Sequence, residues 1–198
     1  KSNPEQYTTD PENRLLARGP RFRLDSEMIR DQIIAVSGQL NEMLFGKSVK
    51  PPQPDKLWAT VAMPSSYPRF YEPDKGERIL RRSVYTFWKR ALPPPQMSIF
   101  DAPTREACIA RRERTNTPLQ ALVLMNDPVY VEAACSFGLR IMTEGGDKLD
   151  ERLRFAFRVA LSRAPSDDEL SELRQAFLVE LSHFESDRPA ANQLVHVG

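Results

Sequence analysis

Ten of the chain's seventeen prolines fall between Lys50 and Pro103, including the runs Pro51-Pro52 and Pro93-Pro94-Pro95. A proline inside a helix removes an N–H donor and collides with the preceding turn. No long helix fits there, and proline triplets favour extended polyproline backbone. The chain therefore divides into N-terminal helices (1–46), a proline-rich extended segment (47–103) and a C-terminal helical bundle (104–198). At 198 residues these read as one domain. The expected fold class is mainly α: a helical bundle with a proline-rich, partly extended central segment. Within that segment residues 83–88 are β-branched and aromatic, which predicts a short strand. Its hairpin partner is Arg69-Phe70-Tyr71, across the turn Asp74-Lys75-Gly76.

Helical signals frame the segment on both sides. Asp25 stands as an N-cap before Ile29, Ile33, Val36, Leu40 and Met43/Leu44, whose spacing of three and four predicts one amphipathic helix of about five turns ending at Gly46. Upstream, Asp10-Pro11 opens a short helix over 10–16. Downstream, Thr117-Pro118 and Asp127-Pro128 each put a capping side chain before a proline at the first helical position. The helix from Asp127 carries Tyr130, Ala134, Phe137 and Ile141 and stops at Gly145-Gly146. The next carries Leu149, Leu153, Ala156/Phe157 and Ala160/Leu161, with Asp150 and Arg154 as an i,i+4 pair. Ser166 and Glu169 form a capping box ahead of Leu170, Leu173, Phe177, Leu181 and Phe184.

The balance of charge excludes some functions. Lys and Arg number 28 against 27 Asp and Glu, for a net charge of +1, so no global field favours nucleic acid. No apolar run is long enough for a transmembrane segment. The first residues lack the order of a signal peptide, and the chain, opening without Met, reads as part of something longer. Cys108 and Cys135 are read as buried free thiols, a disulfide being the alternative if their helices pack. Neither lies in a haem-attachment motif. His183 and His196 are the only histidines and have no partners at metal-ligand spacing. The acidic run Asp167-Asp168-Glu169 fits a helix dipole. No catalytic or metal residues are assigned.

Arg81-Arg82-Ser83-Val84-Tyr85-Thr86-Phe87-Trp88, Phe100-Asp101-Ala102-Pro103 and the line from Thr115-Asn116-Thr117-Pro118 to Asn126-Asp127-Pro128 carry a resemblance. So does the stretch from Asp25 to Gly38. Together they resemble the C-terminal domain of unknown function of planctomycete cytochrome-c-domain-containing proteins, from about Asn13 to Gly198. The resemblance implies an exported protein in a periplasm-like cell envelope compartment, in which a cytochrome-c-like domain precedes this one. Haem is expected only on that separate domain, with no cofactor in this segment. Relatives continue into a further helical segment, so the chain is expected to be truncated at its C-terminus. No catalytic residue is implied.

The candidate binding residues lie where charge is local. From Arg69 to Arg114 eleven basic residues face six acidic ones, a local charge of +5. Arg81, Arg82, Arg111, Arg112, Arg114, Asn116 and Thr117 are candidates for an anion or a partner, the last of them at a helix N-terminus. The bland reading is that the arginines pair with Asp101, Glu106 or Glu113 and lock the proline-rich segment down. Trp58, Tyr71, Tyr85 and Trp88 are candidate aromatic contacts, in a cluster with Tyr67, Phe70 and Phe87; core packing is the competing reading. The expected function is a non-catalytic interaction or scaffold domain that docks a neighbouring domain, an envelope protein or an anionic glycan. The alternative is part of an envelope enzyme acting on anionic or sulfated polysaccharide, with Asp101 or Glu106 moving a proton. A third reading is an electron-transfer accessory that holds the haem domain.

Overall fold

The computed structural model describes residues 4–19, 22–54, 56–61, 63, 65 and 68–197; Tyr67 lies outside them. The structure is mainly helical and, among the described residues, has no sheet. The elements run α1 (Pro4–Thr9), α2 (Ser26–Val36), α3 (Leu57–Val61), α4 (Pro95–Ile99), α5 (Pro118–Asn126), α6 (Pro128–Glu144), α7 (Leu149–Leu161), α8 (Asp167–Ser186) and α9 (Arg188–Val195). Two 3-10 turns, Gly76–Leu80 and Ser83–Tyr85, lie in the central segment. Helix α6 is the hub: it packs on α2, α5, α7 and α9, while α8 lies between α7 and α9.

The C-terminal helices begin where the residues announce. Asp127 accepts from the Val129 N–H at 3.0 Å, and Pro128 sits in the first turn of α6. Ser166 and Glu169 close a reciprocal box, with the Ser166 N–H donating to Glu169 Oε2 at 2.8 Å. Gly145 ends α6, and Gly146 follows at φ +90°, the left-handed region that favours glycine. Asp150 departs from expectation: it pairs with Arg174 of α8, and Arg154 stands 3.7 Å from Asp167, so both side chains tie helix to helix.

Helix α2 is shorter than its apolar spacing predicts. It stops at Val36, Gly38 turns left-handed at φ +82°, and Arg140 of α6 donates to the Val36 carbonyl at 3.0 Å. Met43 and Leu44 are exposed, beyond the helix. Its most buried face is also not the predicted one. Ser26, Arg30, Ile34 and Ser37 are buried, whereas Ile29, Ile33 and Val36 are half-buried. Residues 10–16 form turns rather than a helix, because both Asp10 carboxylate oxygens fold back onto the N–H groups of Arg14 and Leu15.

The predicted hairpin does not form. Residues 83–85 coil into a 3-10 turn, and the pairings nearby are isolated bridges, Val49 with Thr86 and Asn41 with Arg81, both parallel. Residues 85–87 pair with Val49 instead of 69–71, Val49 N donating to Tyr85 O at 2.8 Å and Phe87 N to Val49 O at 2.7 Å. With no ladder formed, nearby carbonyls take side-chain donors. Arg30 donates to the Arg81 carbonyl at 3.0 Å and to that of Ile79; Arg81 donates to the carbonyls of Met43, Phe45 and Lys47. Tyr71 Oη donates to Pro51 O at 2.6 Å and Lys89 Nζ to Pro68 O at 3.1 Å. Five N–H groups in a planar fork let one guanidinium satisfy several carbonyls.

Candidate functional site at the arginine-bearing loop and α5

After α4 the chain turns at Asp101, which sits at φ +59°, and leaves the core as a loop leading to α5. Both ends of the loop are pinned. The Asp101 carboxylate accepts from the Thr115 N–H at 2.8 Å, from its hydroxyl at 2.9 Å and from Arg23, which also donates to the Thr115 carbonyl. Buried Gln120 donates to Ile99 O at 2.9 Å and to Thr115 Oγ1 at 3.1 Å. Partial burial works to raise the pKa of Asp101, but the hydrogen bonds from Arg23 and Thr115 hold it below the ordinary carboxylate value. A carboxylate so engaged stays ionised and is ill suited to donate a proton. Glu106 lies out on the exposed loop.

Between these pins every residue from 104 to 119 is exposed except Arg112. Arg112 grips Glu27 through two hydrogen bonds of 2.6 and 3.1 Å, and its guanidinium also lies 3.7 Å from Asp25. For Glu27, burial is offset by the Arg112 and Ser26 hydrogen bonds, which leave its carboxyl below the usual value; Arg112 is correspondingly raised. The lock expected of the arginines through Asp101, Glu106 or Glu113 is not made. Among the described residues Arg112 alone forms one, with Glu27 and Asp25, and it joins the loop, rather than the proline-rich segment, to the start of α2.

The other predicted binding residues scatter. Arg81 is 4 % exposed and lies 3.9 Å over the Tyr85 ring, so it is an internal donor rather than a surface clamp. Arg82 is exposed, 4.0 Å from Asp31 of α2. Arg114 covers the Phe22 ring at 4.8 Å, and Arg111 and Asn116 point to solvent. Arg111, Arg112, Glu113, Arg114 and Thr115 line one open concavity. Thr117 opens α5 in a capping box with Gln120: its N–H donates to Gln120 Oε1 at 3.4 Å and its hydroxyl faces the Gln120 N–H, although that N–H makes its closer hydrogen bond, 3.1 Å, to the Thr117 carbonyl.

The aromatic candidates serve the interior. Trp58 is 5 % exposed, stacks on Tyr71 at 5.0 Å and donates to Gln53 Oε1 at 2.7 Å. Burial pushes the Tyr71 phenol well up. Tyr85 Oη accepts from the Phe45 N–H at 2.9 Å, and Trp88 lies beneath Arg105 at 4.1 Å while donating to Thr104 O at 3.3 Å. Cys108, expected inside, is exposed on the loop; Cys135 is half-buried, and the two are not bonded to each other. Among the described residues no group of histidines, cysteines and carboxylates suits a metal, and no helix is long and apolar enough to cross a membrane.

Two features escaped sequence reasoning. Arg30, 1 % exposed, occupies the centre of the molecule; its only signal was the spacing Ser26, Arg30, Ile34 on the face next to the apolar one. Helix α5 is apolar around most of its circumference, yet Leu119, Leu122 and Met125 are exposed at 53, 54 and 72 %. A helix of that composition normally has a partner on every side.

The architecture is that of a helical domain with a long, arginine-pinned loop. The chain belongs to the family described as PSD1, protein of unknown function (DUF1553), whose model matches residues 1–177. The match begins earlier than the resemblance at Asn13 and stops within α8, short of Gly198. No curated protein and no solved structure matches the chain.

Proposed function

We propose that this is a non-catalytic docking domain of an exported multidomain protein, and that α5 with the preceding loop is the face it presents. The observation that carries the reading is the exposure of Leu119, Leu122 and Met125 on α5, in the segment that follows exposed Arg111 and Arg114, for which no ion pair forms among the described residues. An apolar stripe beside uncompensated positive charge suits a protein surface with an apolar centre and acidic rim. The partner we favour is a neighbouring domain of the same polypeptide, the cytochrome-c-like domain being the first to test. Haem chemistry then belongs to that domain and scaffolding to this one.

A second reading, an anionic envelope polysaccharide held by Arg111 and Arg114, is favoured by the concavity at residues 111–115. The enzyme reading has less support, because Asp101 is tied to Arg23 and Thr115. Hydrogen exchange on the full-length protein and on this chain alone tests the proposal. Slower exchange over residues 118–126 in the full-length protein is expected, reversed by Leu122→Asp; equal exchange overturns it. A thermal-shift panel of sulfated and neutral glycans separates the second reading, which requires a salt-sensitive shift abolished by Arg111→Ala with Arg114→Ala but untouched by Leu122→Asp.

A further inference from the structure

We infer that the core contains a built site for one water molecule, which links Arg30 of α2 to Thr86 of the proline-rich segment. The two residues line the same enclosed cavity, whose walls are otherwise mainly prolines from residues 51–54 and 94–95. Its free volume of about 10 Å³ matches what the centre of a single water occupies. Arg30 is 1 % exposed and Thr86 6 %, and each brings one buried polar atom without a protein partner, Nε and Oγ1. The rest of the guanidinium is engaged: Nη1 donates to Arg81 O and Ser83 Oγ, and Nη2 to Ile79 O.

A dry cavity of this size is normally apolar, whereas a wet one needs two or more polar partners. A water here accepts from the Arg30 Nε–H and donates to Thr86 Oγ1. Thr86 is fixed in place by the bridge to Val49, where Val49 N donates to Tyr85 O at 2.8 Å and Phe87 N to Val49 O at 2.7 Å. The ligand belongs to the core and is independent of the docking face.

A high-resolution crystal structure of the protein, with crystals soaked in bromide, tests the site directly. One peak of water weight within about 2.7–3.2 Å of both Arg30 Nε and Thr86 Oγ1 is the expected result. An anomalous bromide peak there makes it a halide site and overturns the inference, as does an empty cavity. Thermal melting of Thr86→Val gives a second readout. With the water present, loss of the hydroxyl lowers Tm by about 2–4 °C. An unchanged or raised Tm, as expected when an unsatisfied hydroxyl is replaced by a methyl in a dry cavity, sinks the proposal. Thr86→Ser keeps the hydroxyl and retains the peak.

Discussion

The proline-rich segment and the C-terminal helices face the same physical demand, that buried backbone polar groups find partners, and they meet it by opposite means. From α6 to α9 the backbone bonds to itself, local caps finish the ends, and arginines such as Arg163 and Arg174 lie in exposed pairs. Among the described residues of the central segment and those just before it no ladder forms, and buried Arg30 and Arg81 donate to its carbonyls. The same side chain is therefore an ornament of the surface in one region and a strut of the interior in the other. Charge alone does not say which arginine is which.

The contrast is tested first where the largest effect is expected. Arg30→Met strands the carbonyls of Ile79 and Arg81 in the core, at a cost of about 3–5 kcal/mol, read from the urea midpoint. Arg81→Met removes the donors to three carbonyls and costs about 3 kcal/mol; Arg81→Lys recovers little, since an ammonium cannot reproduce the fork. A loss below 1 kcal/mol in both, within the roughly ±0.5 kcal/mol typical of surface sites, breaks the comparison.

Next comes the loop lock. Arg112→Ala is expected to cost about 1 kcal/mol at neutral pH. Glu27 has a folded value below the ordinary 4.5, so its contribution is present above the unfolded value and lost as pH falls through the folded one. Wild-type protein should therefore lose stability below about pH 4.5, and Arg112→Ala should lose less over that acid window. Parallel pH profiles would remove Glu27 from the account.

Smaller effects separate the two helix starts. Ser166→Ala should cost about 1 kcal/mol, because its hydroxyl accepts from the Glu169 N–H, while Thr117→Ala should cost only a few tenths. Equal losses would mean that the Thr117 hydroxyl caps α5 after all. Least of all, Arg174→Ala removes a solvent-accessible pair with Asp150 and should leave the urea midpoint within experimental scatter.

Much of the C-terminal half was legible in the residues. Asp127-Pro128, Ser166 with Glu169, and Gly145-Gly146 act within a turn of where they stand, so reading them needs no knowledge of the fold. Helix α2 was harder because its apolar spacing continued to Met43 and Leu44, and nothing local distinguishes Gly38 from Gly46 as the stop. Arg140, 104 residues away, takes the Val36 carbonyl and settles the matter. At the candidate site an ion-pair lock is the expectation, but among the described residues only Arg112 makes one, and its partners Glu27 and Asp25 lie more than eighty residues away, beyond the reach of local spacing. Leu119, Leu122 and Met125 read as ordinary helix residues, since exposure is a property of what packs against them.

The sequence by itself determined where no long helix forms and where α5, α6 and α8 begin: prolines remove N–H donors, and caps and glycines act on their own turn. Tertiary structure decided which cations face inward and which remain outside. Arg30 reaches the Arg81 carbonyl across 51 residues and Arg112 reaches Glu27 across 85. Such contacts depend on how elements are brought together in space, and no local rule of spacing or propensity contains that information.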